Sequence, residues 1–371
     1  MNRQKVRICW ITSGYLLQVD LPLLSSLKEF FDIHWVVLAD PRSDMGKNAK
    51  EYAAQYGIDI EMRFARGHRY LPLCLLDYFS MCRDFAELNA DIYYCNWTPF
   101  PYAWIPFEKY IPADRLIMAM HHGCLHDGMQ LKHMYKYYLK HVTQRDVHFQ
   151  YFSETQANGE YSAKDKSKVT VIPLALNDFG KSTKKPSCDH IEFLAFGHII
   201  ETKNIGLLIE AANKLYERLG NKFRVRIVGQ CRLWDQLYQP LVKYPEIFEL
   251  DIRMVPNEMI PDLFSSVHYL VLPYKAVTQS GPLRIAYGYN TPVITSDLDG
   301  FKESMVEGIT GYMFETENVD ALVEIMEKMV LGGQESYSSI KAKQKDYVDR
   351  NLSVSSVVEK YKMMFNNFIK K

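Results

Sequence analysis

The feature that most constrains this chain is an alternation of strand and helix that runs twice. Short apolar runs alternate with helix-periodic segments, the pattern of parallel sheets covered by helices. In the first half, strands are predicted over 6–12, 33–39, 58–64, 92–96, 116–120, 147–153 and 169–172. Residues 176–190, LNDFGKSTKKPSCDH, then show no period and read as a linker. The alternation restarts, with strands predicted over 193–196, 224–228, 249–254, 269–272, 292–295 and 312–314. Two series separated by a polar break predict two α/β domains, and 371 residues suffice for both.

The boundaries follow. Residues 1–178 form a first domain, 179–190 the linker and 191–352 a second domain. Residues 353–371 form a terminal helix, expected to cross back to the first domain, with Ser356 and Glu359 spaced as a capping box. In the first domain one helix is predicted to begin near Pro22 and another to end near Gly57. The helix over 205–219 places Ile205, Leu208, Ile209, Ala212, Leu215 and Tyr216 on one face and closes at Gly220.

Composition excludes several classes. Lys plus Arg and Asp plus Glu are both 44, so no global charge favours nucleic acid and any anion site must be local. Seven cysteines with no C-x-x-C pair read as free thiols of a reducing compartment. No apolar run approaches the roughly 20 residues of a spanning helix, and the opening MNRQKVRICWITSGYL reads as a first strand rather than a signal peptide. A cytoplasmic protein, in solution or peripheral on the inner face of the cell membrane, is expected.

Several motifs fail on inspection. GKS at 180–182 lacks the glycine five positions earlier, where Ala175 stands, so it is not a phosphate loop. No G-x-G-x-x-G follows the first strand. Asp297-Leu298-Asp299 reads as a polar turn. His121 and His122 are adjacent, which is not the spacing of metal ligands on a helix, and no metal is predicted.

Three segments of the second half carry chemistry together. In FGHIIETKNIGLLIEAANKL, from Phe196, a strand ends at Gly197, a loop carries His198 and Lys203, and a helix begins near Asn204. A lysine beside a helix start and a close-approach glycine suits a phosphate. In VLPYKAVTQSGPLRIAYGYNTPVITSD, from Val271, a strand ends at Pro273-Tyr274 and Ser280-Gly281 precede a helix at Pro282. Its free N–H groups and the serine hydroxyl form an anion cradle. In LDGFKESMVEGITGYMF, from Leu298, Gly300 and Glu303 follow the next strand.

This succession resembles the retaining glycosyltransferases of family 4, which read "GR…KG…LIEA", then "PS/PY…E-x-FG…EA…G-x-PVI", then "GG-x-x-E…G-x-TG". Here the chain reads G-H-x-x-x-x-K, then PY…QSG…AYGYNTPVI, then GFKE…GITGY, with QSG marking a branch of that family. The resemblance is close over 191–330 and loose in the first half. It implies the GT-B architecture: two Rossmann-like domains facing each other across a cleft. It also implies a donor that is a nucleotide diphosphate sugar, a saccharide or lipid-linked acceptor, retained anomeric configuration, and no further cofactor, metal or nucleic-acid partner. On this basis Lys203 would bind the donor diphosphate and act in catalysis, and Gly197, His198, Gln279, Ser280 and Gly281 would line the same site. Asn257 and the strand end at 253–256 would border the base, and Glu303 would close the donor side. Gly14 would face the diphosphate with its backbone exposed, and His122, the second catalytic residue, would face the donor sugar. His198 stands where the family has arginine, and Val277 and Ile285 where it has two glutamates, so the ribose contact differs.

The implied acceptor domain is rich in aromatics over 93–107, YYCNWTPFPYAWIPF, which fits either stacking on sugar rings or a packed core. Residues 131–142 put Leu131, Tyr135, Tyr138, Leu139 and Val142 on one helix face, with Lys132, His133, Lys136 and Lys140 elsewhere. Such a helix fits either an anionic lipid surface or an ordinary solvated face. Two further functions stay open: a nucleotide-sugar-binding accessory protein without turnover, and a nucleotide-sugar epimerase of the same architecture.

Overall fold

The computed structural model describes residues 5–66, 74–100, 102–121, 132–176, 179–277 and 280–370. The chain divides into two compact units, Met1–Ala175 with Leu352–Lys371, and Leu176–Asn351.

The first unit holds seven parallel strands: β1 (Arg7–Ser13), β2 (Asp32–Leu38), β3 (Ile60–Arg63), β4 (Ile92–Asn96), β5 (Leu116–Met120), β6 (His148–Tyr151) and β7 (Val169–Val171). Their order is β3-β2-β1-β4-β5-β6-β7. Every residue of β4 and of β5 is buried, because helices cover both sheet faces. Successive residues therefore enter two different cores. Cys9, Ile11, Tyr93, Cys95, Leu116 and Met118 share one. Ile8, Trp10, Ile92, Tyr94, Ile117 and Ala119 share the other.

The second unit repeats the winding with β8 (Ile191–Phe196), β9 (Phe223–Val228), β10 (Phe248–Asp251), β11 (Tyr269–Leu272), β12 (Val293–Ser296) and β13 (Gly311–Phe314). The order is β10-β9-β8-β11-β12-β13, again all parallel. In each sheet the winding reverses between the first and fourth strands. In open α/β sheets that reversal, at the carboxyl ends of the two strands, is where ligands bind.

Three sequence expectations need correction. The helix placed near Pro22 spans Leu17–Leu27, with the proline inside it and a short turn, Gly14–Leu16, leading in. An interior proline removes one helical hydrogen bond at a cost of about 3 kcal/mol, which the burial of Leu21, Leu23, Leu24 and Leu27 offsets. The last helix spans Val354–Ile369, and its cap is Ser353, whose hydroxyl accepts from the Ser356 N–H, rather than Ser356 itself. Glu359 instead pairs with Lys362. Gly14 is buried, as are Ser13 and Leu16, because the turn folds inward at the end of β1.

The terminal helix buries Val357, Val358, Tyr361, Met364 and Phe365 in the core that contains Trp10. The helix before it, Val319–Asn351, breaks at Gly333 (φ 54°) and belongs to the second unit. Cys9, Cys74, Cys82 and Cys95 are buried free thiols, whereas Cys188 is exposed and Cys231 intermediate.

Candidate functional site

The second sheet reverses between β8 and β11, and the sequence places special residues at both carboxyl ends. Gly197 follows β8 with φ 112°, and its N–H donates to the Val228 carbonyl at 3.0 Å. Gly229 follows β9, and its N–H donates to the Asp251 carbonyl at 2.9 Å. The two glycine backbones press together, so that a Cβ on Gly229 would overlap the Gly197 carbonyl oxygen. Gly229→Ala is therefore expected to destabilise the second unit by about 3 kcal/mol, read as a lower urea midpoint. An unchanged midpoint would show that the two loops part easily.

Beyond Gly197 the chain makes a short turn, Glu201–Lys203, and Asn204 takes a left-handed conformation (φ 51°) to enter the helix Ile205–Leu219. The Thr202 carbonyl accepts from the Lys275 N–H at 2.9 Å, tying the loop after β8 to the loop after β11. Lys203 thereby stands over the Tyr274 ring, with Nζ 3.7 Å from its centroid. Burial lowers the lysine pKa, and among the described residues no carboxylate lies within ion-pair distance of it. A half-buried ammonium without an acid partner is costly unless an anion meets it.

Tyr274 is the buried hub beneath this lysine, and sequence reasoning assigned it no role. Its carbonyl accepts from the Ser296 hydroxyl at 2.8 Å at the end of β12. Burial raises its phenol pKa to about 12, against a hydrogen bond with Ser280 that lowers it. Ser280 caps the helix Gly281–Gly288 by accepting from the Leu283 N–H at 3.3 Å. Pro282 has no N–H and its ring lies 3.5 Å from where a Gly197 Cβ would stand, while space above Gly281 is open. The Gly281 N–H is thus left at a helix start next to Gly197. On the same helix Arg284 is half-buried, and desolvation lowers its pKa to about 10, which keeps it charged at neutral pH.

The third segment abuts the second. A Cβ on Gly300 would stand 2.7 Å from the Val277 carbonyl oxygen, so this position needs glycine for the backbones to approach. Glu303 ends the four-residue helix Asp299–Lys302 and is half-buried. Asp297 behaves as a turn residue, accepting from the Thr316 N–H and hydroxyl.

Gly197, Lys203, Ser280 and Gly281 are therefore gathered around Tyr274. His198 is exposed on the same loop. Asn257 is exposed in a short turn, Asn257–Met259, beyond the edge strand β10, and the structure records no contact between it and this group. Residues 253–256 form a loop, since β10 already ends at Asp251. His122 and Gln279 lie outside the described residues.

In the first unit the aromatic segment resolves as core. Tyr93 and Phe107 are buried, with Trp97, Phe100 and Trp104 packed against them. Helix Lys132–Val142 likewise turns Tyr135, Tyr138, Leu139 and Val142 inward, leaving Met134 and Tyr137 exposed. Among the described residues, no cluster of three His, Cys, Asp or Glu could hold a metal ion, and no helix is long and apolar enough to cross a membrane.

Residues 190–331 match the family model described as "Glycosyl transferases group 1". No curated protein matches the chain. Among solved structures, a glycosyltransferase from Rickettsia africae superposes with a TM-score of 0.77 at 14% identity, covering 100% of both chains. Anabaena HepE, in complex with UDP and glucose, gives 0.66 at 14% identity over 98% of this chain and 100% of its own. A sucrose-phosphate synthase from Thermosynechococcus elongatus gives 0.72 at 13% identity over 99% and 100%. At such identities the likeness is one of fold: two Rossmann-like domains of the GT-B architecture.

Proposed function

We propose that this protein is a glycosyltransferase that takes a sugar from a nucleoside diphosphate sugar and passes it to a saccharide or lipid-linked acceptor with retained anomeric configuration. The observation that carries this reading is Lys203, a half-buried cation over Tyr274 beside Gly197 and the start of helix Gly281–Gly288. Negative charge grows on the diphosphate as the sugar leaves. An ammonium and an N–H group already fixed in place stabilise that charge without reorganising. In this reading Lys203 and Gly281 hold the phosphates, Arg284 adds a second positive charge on the same helix, and no metal is needed. The match to group 1 glycosyl transferases over 190–331 covers these residues and supports the assignment.

The UDP held by the Anabaena protein makes UDP the first nucleotide to test. A thermal-shift series with UDP, GDP, ADP, CMP and dTDP should single out one nucleotide. At a hundred times its dissociation constant it would stabilise the fold by about 2.7 kcal/mol. No shift with any of the five would count against the donor site. The exposed His198 and the replaced glutamates favour one alternative, an accessory protein that binds the donor without turnover. Nucleotide binding without donor consumption across an acceptor panel would select it.

We place the enzyme in surface polysaccharide or glycoconjugate synthesis, on the cytoplasmic side. Contact of helix Lys132–Val142 with anionic lipid would rest on Met134, Tyr137 and Lys140, because its main apolar face is used in the core.

A further inference from the structure

A lysine has a long flexible stem and normally carries its ammonium out to water. The Lys203 ammonium instead stays half-buried, and among the described residues no acid pairs with it. It rests on the face of Tyr274, with Nζ 3.7 Å from the ring centroid. The electron-rich face of an aromatic ring attracts a cation, and more strongly once both are withdrawn from water.

The ring itself is held on every side. Tyr274 is 2% exposed, its carbonyl accepts from the Ser296 hydroxyl at 2.8 Å, and the buried Phe301 ring packs 5.4 Å away. Its phenol meets Ser280, the cap of helix Gly281–Gly288. The next residue, Lys275, donates its N–H at 2.9 Å to the carbonyl of Thr202, the residue before Lys203. That bond keeps ring and lysine in register, and the Lys203 N–H is anchored in its own turn on the Ile200 carbonyl at 2.9 Å.

A ring and a carboxylate would hold this lysine with different consequences. A carboxylate neutralises the ammonium, occupies its N–H groups and repels an incoming phosphate. A ring face has no net charge, so it fixes the cation in place and leaves its charge and its N–H groups to an anion. A charge fixed beforehand is the kind that lowers a barrier, because nothing has to reorganise as the reaction proceeds.

We propose that Tyr274 is a positioning residue whose ring holds the Lys203 ammonium where charge develops on the donor diphosphate. The diphosphate rests on the transferase reading; the stacking of lysine on ring does not. Protons above an aromatic face resonate upfield. Spectra of ε-13C-lysine-labelled protein, with the Lys203 signal assigned by its loss in Lys203→Met, therefore read the stacking without any substrate. The Lys203 ε-methylene protons are expected upfield in the wild type and in Tyr274→Phe, and at their ordinary position in Tyr274→Leu. The kcat for sugar transfer falls about 100-fold in Tyr274→Leu, as for a misplaced reacting group. Tyr274→Phe keeps the ring and stays within about fivefold of the wild type, the modest effect of one neutral hydrogen bond. The KM for the nucleotide sugar is unchanged in both, because the released lysine still reaches a bound phosphate. An unshifted wild-type signal overturns the proposal whether or not a variant folds. So does a signal that Tyr274→Leu leaves in place, or an unchanged kcat in a folded Tyr274→Leu whose signal has moved. Tyr274→Phe as slow as Tyr274→Leu overturns it too, since the hydroxyl and not the ring would then matter. If the signals respond as expected while the wild type transfers no sugar, the ring still holds the ammonium and the transferase reading falls.

Discussion

Lys203→Ala is expected to lower sugar transfer about a thousandfold, the upper range for losing one preorganised group aimed at developing charge. The loss should fall on kcat and on nucleotide affinity together, because the ammonium meets the phosphates both before and after the sugar departs. Stability should respond in the opposite sense. Burial holds the Lys203 pKa below its value in the unfolded chain, so below the folded pKa the native state carries the full penalty of a desolvated charge. That penalty is relieved only as pH rises through the window between the folded and unfolded values. At neutral pH, Lys203→Met should therefore melt at the same temperature as the wild type or higher without ligand, and lose the upward shift with UDP. Donor-consumption kinetics and thermal unfolding with and without nucleotide check both halves. Transfer near the wild-type rate in either variant would remove Lys203 from the site. A lower ligand-free melting point would show that its contact with Tyr274 is structural.

Much of the architecture was legible because strand and helix periods are local properties. The helix Ile205–Leu219 is written in its apolar positions and its closing Gly220, and the structure has those bounds. What local pattern cannot report is which face of a strand meets which core. Ile8 and Cys9 are equally apolar neighbours, yet they lie in different cores because both faces of β1 are covered. Capping was misread for a similar reason, since Ser353 and Ser356 are both acceptable caps and only the packing of Val357 and Val358 selects between them.

At the candidate site, Lys203, Ser280 and Gly281 were readable as a helix-start anion pattern. Tyr274 was not, because its importance comes from lying under a lysine 71 positions earlier in the chain. The same holds in the first unit for the buried Asp20 carboxylate, which accepts from the Asn96 amide 76 residues later in the chain. No periodicity links them, and only the reversal of winding between β1 and β4 does.

The terminal helix offers the other large effect. Phe365 is fully buried, and its ring lies 5.5 Å from Phe31, 5.8 Å from both Tyr94 and Tyr361, and 6.3 Å from Trp10. These residues come from β1, β4, the end of the first crossover and the last helix, so one ring joins the two ends of the chain within the first unit. Phe365→Ala should destabilise that unit by about 3–5 kcal/mol, the usual cost of truncating a buried phenylalanine. That is at least about a fifth of the roughly 5–15 kcal/mol that holds a domain together. The phosphate-site residues all lie within Leu176–Asn351, so nucleotide binding should outlast the damage. Four of the five tryptophans, Trp10, Trp35, Trp97 and Trp104, report on the first unit and Trp234 on the second. Urea unfolding followed by fluorescence should therefore split into an early, large transition and a later, small one that shifts upward with UDP. A single transition at the wild-type midpoint would mean that the last helix contributes little to the first unit.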